Sequence, residues 1–190
     1  MGTKNFNLID ELIAFVRLHE ILPYVEKKDI IFDFGCGHQA YFLMHIKQNI
    51  KKGIGLDYDV EKSKIDNIEL IKYNYINKLP FNNNSFTKIF LLAVFEHIPI
   101  NKTKQLFQEF YRILNKNGKI ILTTPTPASQ PLLEFLAYKL HIISEAEVKD
   151  HKKYYSINDI KKISTESNFK IIKYKKFEFG LNSLYILNKL

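Results

Sequence analysis

IIFDFGCGHQA, residues 30–40, is the stretch whose reading decides the fold. Ile30 to Phe34 is a short apolar run that ends at a glycine, the pattern of a buried strand. Gly35 and Gly37 let the backbone turn sharply and let a ligand approach with no side chain in the way. Helical spacing resumes over Tyr41 to Asn49. The stretch therefore predicts a strand, a glycine turn and a helix.

Working outward, apolar residues recur at helical spacing from Phe6 to Leu22 and stop at Pro23. Strands are predicted at Gly53–Tyr58, Ile68–Tyr73, Lys88–Val94 and Lys119–Thr124, with an amphipathic helix over Asn101–Asn115. Pro125 to Tyr155 breaks the rhythm, with a helix expected near Leu132–His141, and is too elaborate for a plain connection. Ser156 and Asp159 form a capping-box pattern opening a helix through Ser167. Phe169–Phe179 and Ser183–Leu190 read as two strands joined tightly at Gly180-Leu181-Asn182, hence antiparallel. The expectation is α/β: a Rossmann-like, doubly wound, seven-stranded sheet, mainly parallel with an antiparallel last strand and helices on both faces. One domain is expected over residues 1–190, with an N-terminal helix at 1–22 and a lid at 125–155.

Composition narrows the class. The chain is 46% hydrophobic, enough for a core, and its longest apolar runs fall far short of a membrane span. Met1 to Asp10 lacks the pattern of a signal peptide, and Cys36 is the single cysteine, so a reducing, cytoplasmic setting is expected. A net charge of +8 invites a nucleic-acid reading. Of the 28 basic residues, however, only Arg17 and Arg112 are arginine, the residue that recognises phosphate and base edges bidentately. The lysine runs read as solvated faces.

Gly35, Gly37 and Ala40 satisfy G-x-G-x-x-A, and Asp57 stands 20 residues after Gly37, placed to hold ribose hydroxyls. Those features suit a dinucleotide as well as an adenosyl compound. Asp33 separates the two: its carboxylate would repel a pyrophosphate and favour a sulfonium bearing an amino group.

Several pieces then align in order: DFGCG at 33–37, LDYD at 56–59, LPF at 79–81 with NNNSF at 82–86, EHI at 96–98, NGKIILTTPTP at 117–127 and HKKYYSINDIKK at 151–162. Together the chain resembles the class I S-adenosylmethionine-dependent methyltransferases, in particular the small-molecule subgroup of type 11/23. The resemblance implies that Asp33, Gly35 and Gly37 line the methionine half of S-adenosyl-L-methionine. Asp57 would hold the ribose, and Tyr58 would pack beside the adenine. Asn74 or Tyr75 would border the adenine edge, and Ala93 and Phe95 would floor the methionine moiety. Gln39 stands where the family usually has a third glycine, and Asn74 and Tyr75 are neutral where it usually has an acid.

Methyl transfer requires mainly alignment and exclusion of water, with a base where the acceptor is a hydroxyl. His97 is the first candidate base because it follows the fourth predicted strand, with Glu96 able to orient it. His151, beside Tyr154 and Tyr155, is the second. The apolar 125–155 segment suits a small or amphipathic acceptor: a metabolite, a sugar or a lipid-linked intermediate. No membrane insertion is expected, and the protein is expected to act as a monomer or homodimer. No metal is expected, since the histidines lack cysteine partners or a His-Glu-x-x-His spacing. Two rival readings remain: a nucleotide-cofactor oxidoreductase, and a non-catalytic or nucleic-acid-binding protein that kept the fold.

Overall fold

A computed structural model describes residues 8–190. In chain order its elements are α1 (Leu8–Ile21), β1 (Ile30–Phe34), α2 (Tyr41–Ile46), β2 (Lys52–Asp57), β3 (Ser63–Ile65), β4 (Ile68–Lys72), β5 (Phe86–Leu92), α3 (Ile100–Ile113), β6 (Leu114–Pro125), α4 (Gln130–Tyr138), α5 (Glu145–Asp150), α6 (Ile157–Glu166), β7 (Phe169–Phe177) and β8 (Asn182–Lys189). The expected start of the first helix, Phe6, lies outside the described residues.

The strands form one sheet in the order β3-β4-β2-β1-β5-β6-β8-β7. β4, β2, β1, β5 and β6 run parallel, and β8 runs antiparallel to both its neighbours. Alternate residues of the central strands serve opposite faces. Phe32, Ile89, Leu91, Ile120 and Leu122 join one core, and Ile31, Phe90 and Ile121 join the other. α3 and α6 cover the first face through residues such as Leu106, Phe110 and Ile160. α1 and α2 cover the second through Leu18, Ile21, Leu43 and Ile46. Central strands buried on both faces read as continuous apolar runs, which is why they were legible in the sequence. Each fully buried Leu, Ile or Phe contributes roughly 1.5–3 kcal/mol.

The sheet has eight strands, not seven. The additional β3 spans three residues and pairs antiparallel with β4 across a turn in which Asp66 has a φ of 54°. Its sequence, Ser-Lys-Ile, carries too little pattern to announce a strand, although Asp66-Asn67 is a turn signal. The strand after α3 also begins earlier than expected. Leu114 already pairs with Phe86, and the register shifts before Lys88, near Asn117 with its φ of 64°. Beyond the expected helix of the 125–155 segment, a second short helix, α5, forms. The capping box at Ser156 is present in both directions, Asp159 accepting from the Ser156 N–H and Ser156 accepting from the Asp159 N–H.

Both sheet edges are protected from further pairing. β3 is very short, and β7 carries exposed Lys170, Lys173, Lys175 and Lys176. Much of the lysine-rich late sequence is therefore an edge strand. Lys175 is also ion-paired with Glu20 of α1 at 2.7 Å.

Candidate active site at the carboxyl edge of the sheet

The chain winds outward from β1 to β2 and β4, then returns to β5 on the other side of β1. Open α/β sheets bind ligands at such a reversal, beyond the carboxyl ends of the strands. Gly35 and Gly37 lie there with φ of 75° and 73°, in the left-handed region that glycine enters without strain. A Cβ on Gly35 would also stand 2.6 Å from the Val94 side chain, so the turn packs directly on the end of β5. The backbone N–H groups of Gly35 and Cys36 both donate to the Leu56 carbonyl, at 2.8 and 3.2 Å. The Gly37 N–H donates to Asp57 Oδ2 at 3.0 Å, and the Asp59 N–H donates to Asp57 Oδ1 at 2.9 Å. Ala40 and Ala93, at φ of 47° and 54°, hold left-handed conformations on either side of the crevice. Non-glycine residues in that region cost of order 1–3 kcal/mol and cluster at functional sites.

A cavity of about 660 Å³ opens over this turn. Asp33, Gly35, Gly37 and Ala93 form its floor, with α1 along one wall and Leu132, Leu133 and Leu136 of α4 along another. Asp33 is 2% exposed. Burial, and then the nearby Asp57 carboxylate, push its carboxyl up to about 8. A buried carboxyl in that state gains most from a cationic ligand, which would restore its ionised form. The same burial, with Asp33 and Asp57 adding to it, pushes the Cys36 thiol up, so Cys36 is no thiolate nucleophile.

Two polar clusters line the cavity. The first sits at the end of β5. Glu96 is 2% exposed and accepts from Thr124 Oγ1 at 3.1 Å. His97 Nδ1 lies 3.2 Å from Asp150 Oδ2, and its ring meets that of His151 edge-on at 4.9 Å. The N–H groups of Lys152 and Lys153 donate to the Glu96 carbonyl at 2.7 and 3.3 Å, which holds the segment after α5 to the sheet edge. Burial lowers the pKa of His97, although Asp150 opposes it, and burial with His97 nearby lowers that of His151 to about 4. Burial thus favours the neutral imidazole at both positions. The second comprises Arg17 of α1 with Glu178 and Asn182 at the turn between β7 and β8. Asn182 Nδ2 donates to Glu178, and burial raises the Glu178 carboxyl, although Arg17 opposes the shift.

A family profile described as a methyltransferase domain matches residues 7–174. The chain belongs to that methyltransferase family. Solved structures share the fold of this methyltransferase at low identity. One is an S-adenosylmethionine-dependent methyltransferase of Methanosarcina mazei, 17% identical, covering 90% of this chain and 97% of that one, with a TM-score of 0.66. Another is the PH0226 protein of Pyrococcus horikoshii, 18% identical, with coverages of 97% and 93% and a TM-score of 0.69. A third is an S-adenosylmethionine-dependent methyltransferase of Mesorhizobium loti, 14% identical, with coverages of 90% and 95% and a TM-score of 0.67. No curated protein matches the chain. Among the described residues no helix is long and apolar enough to cross a membrane.

The methyltransferase brings Asp33, Gly35, Gly37, Ala93, His97 and His151 to one cavity. Asp57 stands behind the glycine turn and supports it. Tyr58 is half exposed, Asn74 is exposed, and Tyr75 packs edge-on against Phe34 at 5.8 Å, all outside the cavity wall. Phe95 is a correction. It is fully buried, with rings 5.5 Å from Phe107 and 4.4 Å from Tyr155, and does not line the cavity. The short 3-10 turn Phe95–His97 rotates Glu96 and His97 outward and Phe95 into the core. Gln39, where the family usually has glycine, lies on the cavity wall and does not close it. Sequence reasoning missed Asp150, Arg17 and Glu178. Arg17 being one of two arginines was the available signal.

Proposed function

We propose that this chain binds S-adenosyl-L-methionine and transfers its methyl group to a small-molecule acceptor, most simply a hydroxyl. The observation that carries the reading is Asp33: a buried carboxyl on the floor of a cavity shaped by a glycine turn. S-adenosylmethionine, when bound, supplies a methyl carbon already activated by positively charged sulfur. Asp33 meets the cationic methionine half, and Gly35, Gly37 and Ala93 leave room for it. Asp57, which holds the turn through the Gly37 and Asp59 N–H groups, stands where a ribose hydroxyl would reach its carboxylate. Tyr58, Asn74 and Tyr75 stand beyond β2 and β4, on the adenine side.

The acceptor lies between the apolar side chains of α4 and the polar cluster Glu96, His97 and His151. Glu96, His97 and His151 would give the hydroxyl proton a path to water while the acceptor oxygen takes up the methyl group that the bound cofactor would supply. The lid excludes bulk water and aligns the reactants, which is the main requirement of an in-line displacement. A cavity of about 660 Å³ suits a cofactor and a small acceptor together.

Titration calorimetry tests the cofactor. Saturable binding of S-adenosylhomocysteine, with none of a nicotinamide dinucleotide, is expected. Silence at millimolar S-adenosylmethionine and S-adenosylhomocysteine overturns the reading. Labelled methyl should then enter the small-organic fraction of an extract; label confined to RNA or protein overturns the acceptor class.

A further inference from the structure

We infer that Glu96, His97 and His151 form a binding site for one divalent transition-metal ion at the acceptor end of the cavity. One ligand atom from each residue lies within 4.8 Å of the other two, a spacing that a modest side-chain adjustment closes around an ion. Two imidazoles and a carboxylate are a ligand set of zinc and related borderline cations, and a poor one for magnesium.

Three further features fit ligation. His97 Nδ1 is engaged by Asp150 at 3.2 Å, which leaves Nε2 as the ligand atom. A histidine held at its second nitrogen by a carboxylate is the usual supporting arrangement around a protein-bound metal. His151 Nδ1 is buried and has no hydrogen-bond partner among the described residues, a cost that a ligand would remove. Tyr154, whose ring lies 5.1 Å from that of His151, likewise buries a hydroxyl with no partner among the described residues. The site is also braced, since the Lys152 and Lys153 N–H groups bind the Glu96 carbonyl and Thr124 holds the Glu96 carboxylate.

Three protein ligands leave an open coordination position, as in catalytic zinc sites. His97 and His151 line the cavity, so an acceptor oxygen could take that position. The inference deepens the proposed acceptor site and rests on that reading for its role. Metal binding itself is measurable whether or not an acceptor is found.

The test is titration of the metal-free full chain with Zn²⁺, Co²⁺ and Mn²⁺, followed by calorimetry and, for cobalt, by visible d–d absorption. One equivalent is expected, with the absorption of a four- or five-coordinate cobalt site. His151→Ala and Glu96→Gln should each weaken binding about 100-fold, with circular dichroism unchanged. His141→Ala, at an exposed histidine, should leave it intact. Binding that survives both site variants, or no saturable binding of any of the three ions, overturns the inference. If the variants fail to fold, protection of His97 and His151 from diethyl pyrocarbonate by Zn²⁺ in the unaltered chain decides it: protection supports the site, and equal modification with and without metal refutes it.

Discussion

The Gly37 N–H and the Asp57 carboxylate, 20 residues apart, are joined by a 3.0 Å hydrogen bond that ties the turn after β1 to the end of β2. The acid that the sequence suggested for ribose thus first shapes the turn against which a ligand rests. Asp57→Ala should cost about 1.5–3 kcal/mol of stability, the range for a hydrogen bond to a charged group. It should also weaken S-adenosylhomocysteine binding about 30-fold, equivalent to roughly 2 kcal/mol. Asp57→Asn keeps one acceptor oxygen and should lose less stability. Denaturant unfolding and calorimetry on the two variants check this; equal stability losses would refute the positioning role.

Asp33 predicts a pH dependence. Its carboxyl titrates near 8 in the folded chain, against about 3.9 when unfolded, so the folded state retains a proton that the unfolded state has released. That contribution to stability is whole below about pH 4 and is lost as pH rises through about 8. The ligand-free Tm should therefore fall across this window, and Asp33→Asn should flatten the fall. A cationic ligand should expel the proton near pH 7, seen as different binding heats in two buffers of unlike ionisation enthalpy. Identical heats in both buffers would count against it.

Gly35 is constrained twice, by its φ of 75° and by the Val94 side chain 2.6 Å from where a Cβ would stand. Gly35→Ala should destabilise by about 2–5 kcal/mol, combining left-handed strain with overpacking. Adding Val94→Ala should recover about 1 kcal/mol and leave the backbone strain. Urea unfolding of the single and double variants measures the coupling; strict additivity would show that contact with Val94 is not the cause.

Lys88 supplies a prediction remote from the cavity. At the amino end of β5 it is 6% exposed and paired with Asp29 at 2.7 Å and Glu26 at 2.9 Å. Asp29 also accepts from Thr87 Oγ1 and from the Glu26 N–H. Lys88→Met leaves Asp29 buried without its cation and should cost about 3–5 kcal/mol. Cofactor affinity of the folded fraction should stay within about 2-fold, since the variant lies at the opposite edge of the sheet. A milder loss, or a large affinity change, would contradict this placement.

Much of the fold was legible in local pattern. Ile30–Phe34 has both faces buried, so its apolar run survives without context, and the Ser156–Asp159 box is a contact between near neighbours. Asp33, Gly35 and Gly37 were readable because a glycine turn after a strand is itself local. β3 was not, because three residues with one apolar side chain hold no period to detect. The sequence alone determined the alternating α/β order and the crevice at the end of β1, since periodicity and turn chemistry act within a few residues. Only the tertiary structure decided that Phe95 belongs to the core, that Arg17 and Glu178 line the same cavity, and that Asp150 and His151 close on Glu96 and His97. Those pairs are brought together by packing across the sheet edge, and separation along the chain carries no record of it.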